Sequence, residues 1–297
     1  MSSRLLILCP GQGGQHTAMY DLARGDPHGA ALLARLAPDL PDLSDPASLF
    51  ANRSAQPAIV AAGLAMWEAL RRDSPPPALV AGYSVGELTA YGVAGALSAE
   101  RTAKLAGQRA ELMDACVAPC TPQAMLAISG RRIATLRALL AAKGFHIAIE
   151  TGEDSCIAGG PAANAAAISL LGARITSLPV AVASHTPYLR AAVAPFARLL
   201  GQEKFGTMQA PVLAGIDASA VREQDAAIDC LSRQLAEAIL WSDCMDACAE
   251  RGITAALELG PGSALSKMLS ARHPDIDCRS VADFRSLDGV RRWLERV

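Results

Sequence analysis

Apolar and polar positions along this chain form two alternating patterns. Short apolar runs bounded by glycine or proline, such as Leu5–Cys9 and residues 78–81, are typical of strands buried in a parallel sheet. Longer stretches carry apolar residues at helical spacing, as in residues 57–71, which are soon followed by three consecutive prolines. Strands that alternate with helices in this way predict an α/β fold.

The segment between residues 123 and 183 has its own order of elements. Its pattern predicts four strands and two helices in the order β-α-β-β-α-β, which is the ferredoxin-like arrangement. The strands are expected at 125–129, 146–149, 155–158 and 174–178, and the helices at 133–143 and 161–171. We therefore predict a large unit of residues 1–122 and 184–297 and an inserted small subdomain at 123–183. In the second part of the large unit, the pattern predicts a helix at 187–200, strands at 212–216 and 255–259, and helices within 226–250.

The composition of the chain excludes several classes of protein. Apolar residues make up 51% of the chain, which excludes a disordered protein. The 27 basic and 29 acidic residues nearly balance, so the net charge does not indicate binding to nucleic acid or to an anionic membrane. Eight cysteines without a C-x-x-C pair are the pattern of a reducing cytoplasm. Cys116/Cys120 and Cys244/Cys248 are spaced to share a helix face, but no histidine lies near either pair, so no metal site is expected.

The clearest chemical signal is Gly82-Tyr83-Ser84-Val85-Gly86, between a predicted strand and a predicted helix. A serine on such a turn occupies a strained backbone conformation that flanking glycines permit, and its hydroxyl is exposed at the helix N-terminus. The alternative is an ordinary tight turn. The position between strand and helix favours a nucleophile elbow with Ser84 as the nucleophile.

A serine hydroxyl needs a base to take its proton. His185 is the best candidate, because it ends an apolar run and precedes a predicted helix, although a structural histidine there, or His16 after a glycine loop, remains an alternative. His185 lies far from the end of the chain, unlike the histidine of a standard α/β-hydrolase. A Ser-Asp-His triad is therefore disfavoured, since Asp154 is the only acid we would nominate and it lies in the predicted subdomain; a backbone carbonyl is the alternative for orienting the ring.

Gly11-Gln12-Gly13-Gly14-Gln15 follows the first strand but lacks the third glycine and the distant acid of a dinucleotide fingerprint. We favour an oxyanion-hole loop over a flexible turn, with one backbone N–H beside these glycines and another from Val85.

Arg109 falls on the apolar stripe of the helix predicted after Ser98. A buried guanidinium needs a partner, because an unpaired buried charge is costly. The partner is either an internal acid or the carboxylate of a substrate, held by the planar fork of the guanidinium.

Together these residues resemble the malonyl-CoA:acyl-carrier-protein transacylase family, in order from residue 4 to about residue 270. The motifs are Pro10-Gly11-Gln12-Gly13, Gln56-Pro57-Ala58, Gly82-Tyr83-Ser84-Val85-Gly86-Glu87, Gln108-Arg109, Ser184-His185 and Leu259-Gly260-Pro261-Gly262. The resemblance implies an α/β-hydrolase-like core with a ferredoxin-like insert. It further implies a ping-pong transfer from malonyl-CoA, through a serine ester, to the prosthetic-group thiol of an acyl carrier protein, without a tightly bound cofactor.

The resemblance also assigns roles to residues. Ser84 would be acylated, His185 would be its base and Arg109 would hold the malonyl carboxylate. The backbone amides of Gln12 and Val85 would form the oxyanion hole, and the carbonyl of Leu240, just before Trp241, would orient the histidine.

Two departures from the family pattern bear on which branch of the family this chain resembles. Glu150-Thr151-Gly152-Glu153-Asp154 stands where the family usually has an Asn-rich stretch, and Tyr83 stands where fatty-acid enzymes commonly have His. Tyr83, residues 183–187 and residues 283–289 resemble the epsilon subunit of malonate decarboxylase, which charges the carrier subunit of that system. A fatty-acid or polyketide transacylase, a serine thioesterase or hydrolase, and a non-catalytic carrier-docking subunit remain the alternatives.

Overall fold

The computed structural model describes residues 4–43, 46–117, 122–168 and 172–297. In these residues the chain forms two β-sheets surrounded by helices, which is the predicted α/β class. The strands are β1 (Leu5–Cys9), β2 (Leu79–Gly82), β3 (Gln123–Ser129), β4 (His146–Gly152), β5 (Ser155–Pro161), β6 (Arg174–Leu178), β7 (Val212–Leu213), β8 (Ala220–Val221), β9 (Ile239–Leu240), β10 (Ala255–Glu258) and β11 (Asp277–Ser280).

Helices cover both faces of the larger sheet. Within the same described ranges they are α1 (Asp21–Arg24), α2 (Pro27–Leu36), α3 (Pro46–Phe50), α4 (Asn52–Leu70), α5 (Val85–Val93), α6 (Ala99–Val117), α7 (Ile133–Ala141), α8 (Ala165–Ile168), α9 (Arg190–Gly201), α10 (Gln224–Arg233), α11 (Trp241–Glu250), α12 (Ala264–Arg272) and α13 (Leu287–Leu294).

The larger sheet has the strand order β11-β10-β1-β2-β7-β8 and is parallel except for the β7–β8 pair. Central strand β1 is buried along its whole length, which explains its unbroken apolar sequence. Leu5, Ile7 and Cys9 pack into one hydrophobic cluster, and Leu6 and Leu8 pack into another on the opposite face. Alternation along a strand therefore divides the core into two layers.

The smaller sheet has the order β6-β3-β5-β4-β9, with its first four strands antiparallel. Strands from residues 123–178 take the spatial order of a ferredoxin-like unit, as the sequence pattern predicts. Strand β9 comes from the other unit and pairs in parallel with β4, Ile239 lying opposite Ile149. Residues 169–171, the end of the helix predicted at 161–171, lie outside the described residues.

The bounds of several predicted elements differ in the structure, and for two of them the contacts show why. Helix α4 begins at Asn52 and runs through Pro57, although the sequence pattern placed its start at the proline. The proline lacks an N–H for the helix ladder, but the buried apolar face from Ala55 to Met66 outweighs that loss. Strand β7 ends at Leu213, because the backbone of Gly215 turns away and donates to the side chain of Glu87.

Ser98 precedes α6 as predicted, and its hydroxyl accepts a hydrogen bond from the Arg101 N–H at 3.3 Å. Among the helices that the structure describes, none combines the length and apolar character needed to cross a bilayer.

Helix α7 provides a matched test of the core of the smaller sheet. Leu136 is fully buried, whereas Leu139 of the same helix is 37% exposed. We expect Leu136→Ala to lower the free energy of unfolding by about 2–5 kcal/mol, since the removed atoms leave a cavity. Leu139→Ala should change it by less than about 0.5 kcal/mol. Urea denaturation measures both, and equal losses would contradict this packing.

Candidate active site

Ser84 stands on a sharp turn between β2 and α5, with a positive φ of 57°. A side chain at Gly86 would collide with the backbone carbonyl groups of Cys9 and Pro10, and one at Gly82 would collide with the backbone of Gly86. The strand, the turn and the helix can approach this closely only because both positions are glycine. The serine therefore occupies the elbow that the sequence predicted, at the N-terminus of α5.

His185 lies against this serine. Its Nε2 atom is 2.7 Å from Ser84 Oγ, and its Nδ1 atom is 2.6 Å from the backbone carbonyl oxygen of Gln234. A carbonyl oxygen only accepts, so Nδ1 carries the proton and Nε2 is left to accept from the serine hydroxyl. The backbone N–H of His185 also donates to the Leu235 carbonyl at 3.0 Å.

The imidazole is buried, with 1% of its surface exposed. Burial, the largest influence, and the nearby positive charge of Arg109 together lower the pKa of His185 to about 3, while the hydrogen bond to Gln234 acts in the opposite direction. The ring is therefore neutral at pH 7, which is the state in which it can take a proton from a hydroxyl.

The predicted orienting carbonyl, Leu240, is wrong. Leu240 lies on β9 opposite Glu150, and its N–H donates to the Gly215 carbonyl at 2.7 Å. The carbonyl that contacts His185 belongs to Gln234, six positions earlier in the chain. Helix α10 ends at Arg233, and carbonyl groups beyond a helix end are free to accept from other parts of the molecule.

Arg109 on α6 is only 2% exposed. Its Nη1 donates to Gln56 Oε1 at 2.7 Å and lies 3.1 Å from Met113 Sδ, and its Nη2 donates to Gln234 Oε1 at 3.2 Å. Burial lowers the pKa of Arg109 to about 10, so the group keeps its charge at pH 7. In the described part of the chain, no carboxylate lies within 4.0 Å of it, and its contacts are neutral acceptors.

Glu87 supplies a negative charge that the site residues predicted from sequence did not include. It is fully buried on α5, and its Oε2 accepts from the Gly215 N–H at 2.9 Å and from Gln234 Nε2 at 2.6 Å. The side chain of Gln234 therefore stands between Glu87 and Arg109. The motif around Ser84 included Glu87, and a charge at a helix position otherwise flanked by apolar residues was a usable signal. The sequence around Gln234 gave no comparable signal, because the residues that Gln234 contacts lie far from it along the chain.

The glycine loop after β1 lies beside the elbow. A side chain at Gly11 would come within 2.5 Å of the Tyr83 carbonyl oxygen, so the loop touches the residue before Ser84. Val85 is the first residue of α5, where a backbone N–H has no partner within the helix. The structure brings the loop containing Gln12 and the start of α5 to the same turn, and their role as an oxyanion hole stays a prediction.

The other histidine and acid that the sequence offered are elsewhere. His16 is exposed and lines a separate cleft with Gly260 and Gly262. Asp154 is exposed in the turn after β4, where its carbonyl accepts from the Gly130 N–H at 3.0 Å. Neither reaches His185.

The structure describes only part of the two cysteine pairs. Cys244 and Cys248 are buried, and Cys120 lies outside the described residues. Over those residues, no cluster of three or more His, Cys, Asp or Glu side chains is arranged to hold a metal ion.

A cleft of about 360 Å³ opens where the two units meet. Gln12, Phe50 and Asn52 lie on one side of it, and residues 177–182 following β6 lie on the other. Phe50 is 37% exposed, and the lining combines apolar residues such as Pro179 and Val180 with polar ones such as Asp114 and Gln123. The cleft leads to the loop that carries Gln12.

A serine on a strained elbow, hydrogen-bonded to a neutral imidazole, is the constellation of acyl transfer through a serine ester. The comparisons agree with this class. Residues 7–282 match the model of the acyl transferase domain, and the chain belongs to that family. It is an acyltransferase.

Similar proteins cover most of the chain. The malonyl CoA-acyl carrier protein transacylase of Escherichia coli strain K12 is 30% identical over 286 residues, which are 89% of this chain and 91% of that protein. The crystal structure of the Xanthomonas oryzae malonyl-CoA:acyl carrier protein transacylase is 29% identical, with a TM-score of 0.91 and 98% of each chain covered. A malonyl-transacylase solved in complex with a type II polyketide acyl-carrier protein is 25% identical, with a TM-score of 0.91, covering 99% of this chain and all of that one.

The neutral state of His185 predicts a pH profile. An ordinary histidine loses half of its basic form near pH 6.5, whereas a ring with a pKa of about 3 stays basic well below that. We expect phenylmethylsulfonyl fluoride to modify Ser84 at a constant rate from pH 5 to 6.5, after correction for hydrolysis of the reagent, as followed by intact-protein mass spectrometry. A fall in rate centred near pH 6.5 would contradict the neutral buried ring.

Proposed function

We propose that this enzyme transfers a malonyl group from malonyl-CoA to the terminal thiol of an acyl carrier protein. The observation that carries the proposal is a buried cation, Arg109, beside a Ser84–His185 pair with an Oγ–Nε2 distance of 2.7 Å. The pair provides the acylating nucleophile, and the cation selects an acyl group that ends in a carboxylate. The names of the similar proteins support the same substrates.

The first half of the reaction forms a serine ester. The malonyl carboxylate pairs with the Arg109 guanidinium, and the Ser84 oxygen attacks the thioester carbonyl while its proton passes to His185 Nε2. Negative charge develops on the carbonyl oxygen, where the backbone N–H groups of Gln12 and Val85 would receive it. The C–S bond then breaks, and CoA leaves as a thiol with the proton from His185.

The second half runs the same steps in reverse with a different thiol. The prosthetic-group thiol of the carrier gives its proton to His185, and its sulfur attacks the ester carbonyl. The malonyl–Ser84 bond breaks, and Ser84 recovers the proton. We assign the 360 Å³ cleft beside Gln12 to the pantetheine arm, since apolar side chains with polar ones among them suit an uncharged chain that carries amide groups. No tightly bound cofactor takes part in this sequence.

We further propose that the carrier is the malonate decarboxylase carrier subunit, and that the reaction takes place in the cytoplasm. Tyr83, residues 183–187 and residues 283–289 support this branch by their resemblance to the epsilon subunit of that system. Tyr83 lies at the site, with its ring 5.2 Å from that of Trp241 in an edge-to-face contact. A fatty-acid or polyketide carrier is the alternative, supported by the similar transacylases.

Arg109→Ala tests the choice of acyl group. We expect the kcat/KM for malonyl-CoA to fall at least about 100-fold, because two charge-assisted hydrogen bonds are lost, while that for acetyl-CoA falls much less. Initial rates with both thioesters measure this. Ser84→Ala is the control and should abolish both transfers and the covalent acyl label. An equal loss of malonyl and acetyl transfer in Arg109→Ala would reject the carboxylate contact.

Parallel assays with two carriers test the branch. We expect the malonate decarboxylase carrier to accept malonyl at least about tenfold faster than a fatty-acid carrier, since docking decides which thiol reaches Ser84. Acylated carriers are counted by mass spectrometry, and free malonate is measured in the same samples. Faster transfer to the fatty-acid carrier would favour the alternative, and accumulation of malonate in place of acyl carrier would indicate a thioesterase.

A further inference from the structure

Two buried ionisable side chains beside the active site, Arg109 and Glu87, do not contact each other directly. Arg109 is buried and contacts the neutral side chains of Gln56, Gln234 and Met113. Glu87 is also buried, and its bonded oxygen is held by the Gly215 N–H and by Gln234 Nε2. A buried cation and a buried acid face each other, yet no contact ion pair joins them.

Gln234 is the spacer between these two groups. Its amide oxygen accepts from Arg109 at 3.2 Å, and its amide nitrogen donates to Glu87 at 2.6 Å. An amide dipole takes this orientation when a positive charge lies at one end and a negative charge at the other. The oxygen end of the amide therefore faces the charged Arg109, and its nitrogen end holds Oε2 of Glu87, which accepts whether or not Oε1 carries a proton.

The spacer leaves room for a second anion. Because Glu87 does not touch the guanidinium, some of the five N–H donors of Arg109 stay available for a substrate carboxylate. When that carboxylate binds, two negative charges share one buried cation. Like charges in a dry site are unfavourable, and a proton on one of them removes the conflict.

We propose that Glu87 is the internal counter-charge of Arg109, and that Glu87 takes up one proton from solvent when the malonyl carboxylate binds. This inference rests on the proposed role of Arg109. The proton bonds to Oε1 of Glu87, which is buried and has no hydrogen-bond partner in the described structure, while Oε2 keeps its two N–H bonds. The proton returns to solvent when the malonyl group leaves on the carrier.

The groups around Glu87 are consistent with this behaviour. Burial, the largest influence, and the charge of Asp217 raise the pKa of Glu87 to about 7, while its two hydrogen bonds and Arg109 act in the opposite direction. Neutralising Arg109 with a substrate carboxylate removes one opposing influence, so the pKa rises further.

Three other titratable side chains interact with Glu87: Tyr91 on its own helix, Cys230 on α10 and Cys244 on α11. Burial raises the pKa of each of them, so all three are neutral when Glu87 titrates. The charges that face Glu87 near neutral pH are therefore those of Arg109 and Asp217, and Arg109 is the one that the substrate neutralises.

Isothermal titration calorimetry measures proton uptake directly. The Ser84→Ala enzyme, which cannot turn over, is titrated with malonyl-CoA at pH 7.5 in phosphate and in Tris, two buffers with different ionisation enthalpies. We expect uptake of roughly half to three quarters of a proton, because with a pKa of about 7 the free acid is about three-quarters charged at this pH, and the bound one is mostly neutral. Acetyl-CoA is the reference, since it carries the same CoA phosphates without the terminal carboxylate.

A second variant identifies the group that takes the proton. Glu87→Gln keeps a carbonyl oxygen for the bonds from Gly215 and Gln234 but cannot titrate. In the Ser84→Ala background it should bind malonyl-CoA with the same enthalpy in both buffers. If this variant fails to fold, the comparison of malonyl-CoA with acetyl-CoA in Ser84→Ala alone still decides whether the carboxylate brings a proton with it.

The outcomes separate this inference from the proposed function. Tighter binding of malonyl-CoA than acetyl-CoA, with no buffer dependence, would overturn the proton uptake and leave the carboxylate contact intact. Uptake that persists in Glu87→Gln would overturn the assignment to Glu87. Equal binding of the two thioesters, together with an equal loss of both transfers in Arg109→Ala, would overturn the proposed function and this inference with it.

Discussion

The chemistry of this protein depends on one hydrogen bond, from His185 Nδ1 to the carbonyl oxygen of Gln234. An acceptor that cannot donate fixes the ring tautomer, and the dry surroundings keep the ring neutral. A carboxylate in that place would stabilise the charged imidazolium, as in a Ser-His-Asp triad. A carbonyl orients the ring without adding a negative charge, which matters in a site that must also accept an anionic acyl group.

The segment that carries this carbonyl is held at both ends. Helix α10 ends just before Gln234, whose side chain reaches Arg109 and Glu87. At the other end, Ile239 and Leu240 join the smaller sheet through β4, and the Leu240 N–H donates to Gly215. Strand β9 of the larger unit thus belongs to the smaller sheet. The segment from Gln234 to Leu240 connects the two units and contacts His185.

Buried charge is the second organising constraint. A fully buried guanidinium is tolerated because its contacts are polar and a buried acid lies one side chain away. Direct contact between Arg109 and Glu87 would satisfy both groups and leave nothing for a substrate. Separation by an amide stabilises the cation and leaves N–H donors of Arg109 beyond those that bond Gln56 and Gln234, which is what the proposed carboxylate contact requires.

Local sequence was enough for the parts of this protein that neighbours along the chain determine. The alternating strands and helices, the ferredoxin-like order between residues 123 and 178, and the serine on its glycine-flanked turn all follow from patterns within a few residues, because periodicity and backbone sterics act over that range. The sequence also marked Arg109 as a charge that needed a partner, but left open whether that partner was internal.

Tertiary structure decided what depends on residues far apart in the sequence. Ser84 meets His185 across 101 positions, and Gln234 meets Glu87 across 147, so no local pattern encodes either contact. Leu240 was a reasonable choice from its place before Trp241, yet the end of α10 turns the Gln234 carbonyl toward the ring. Where a helix stops, and where its last carbonyl groups then point, is set by how the packed units close around them, since those groups have no partner within the helix itself.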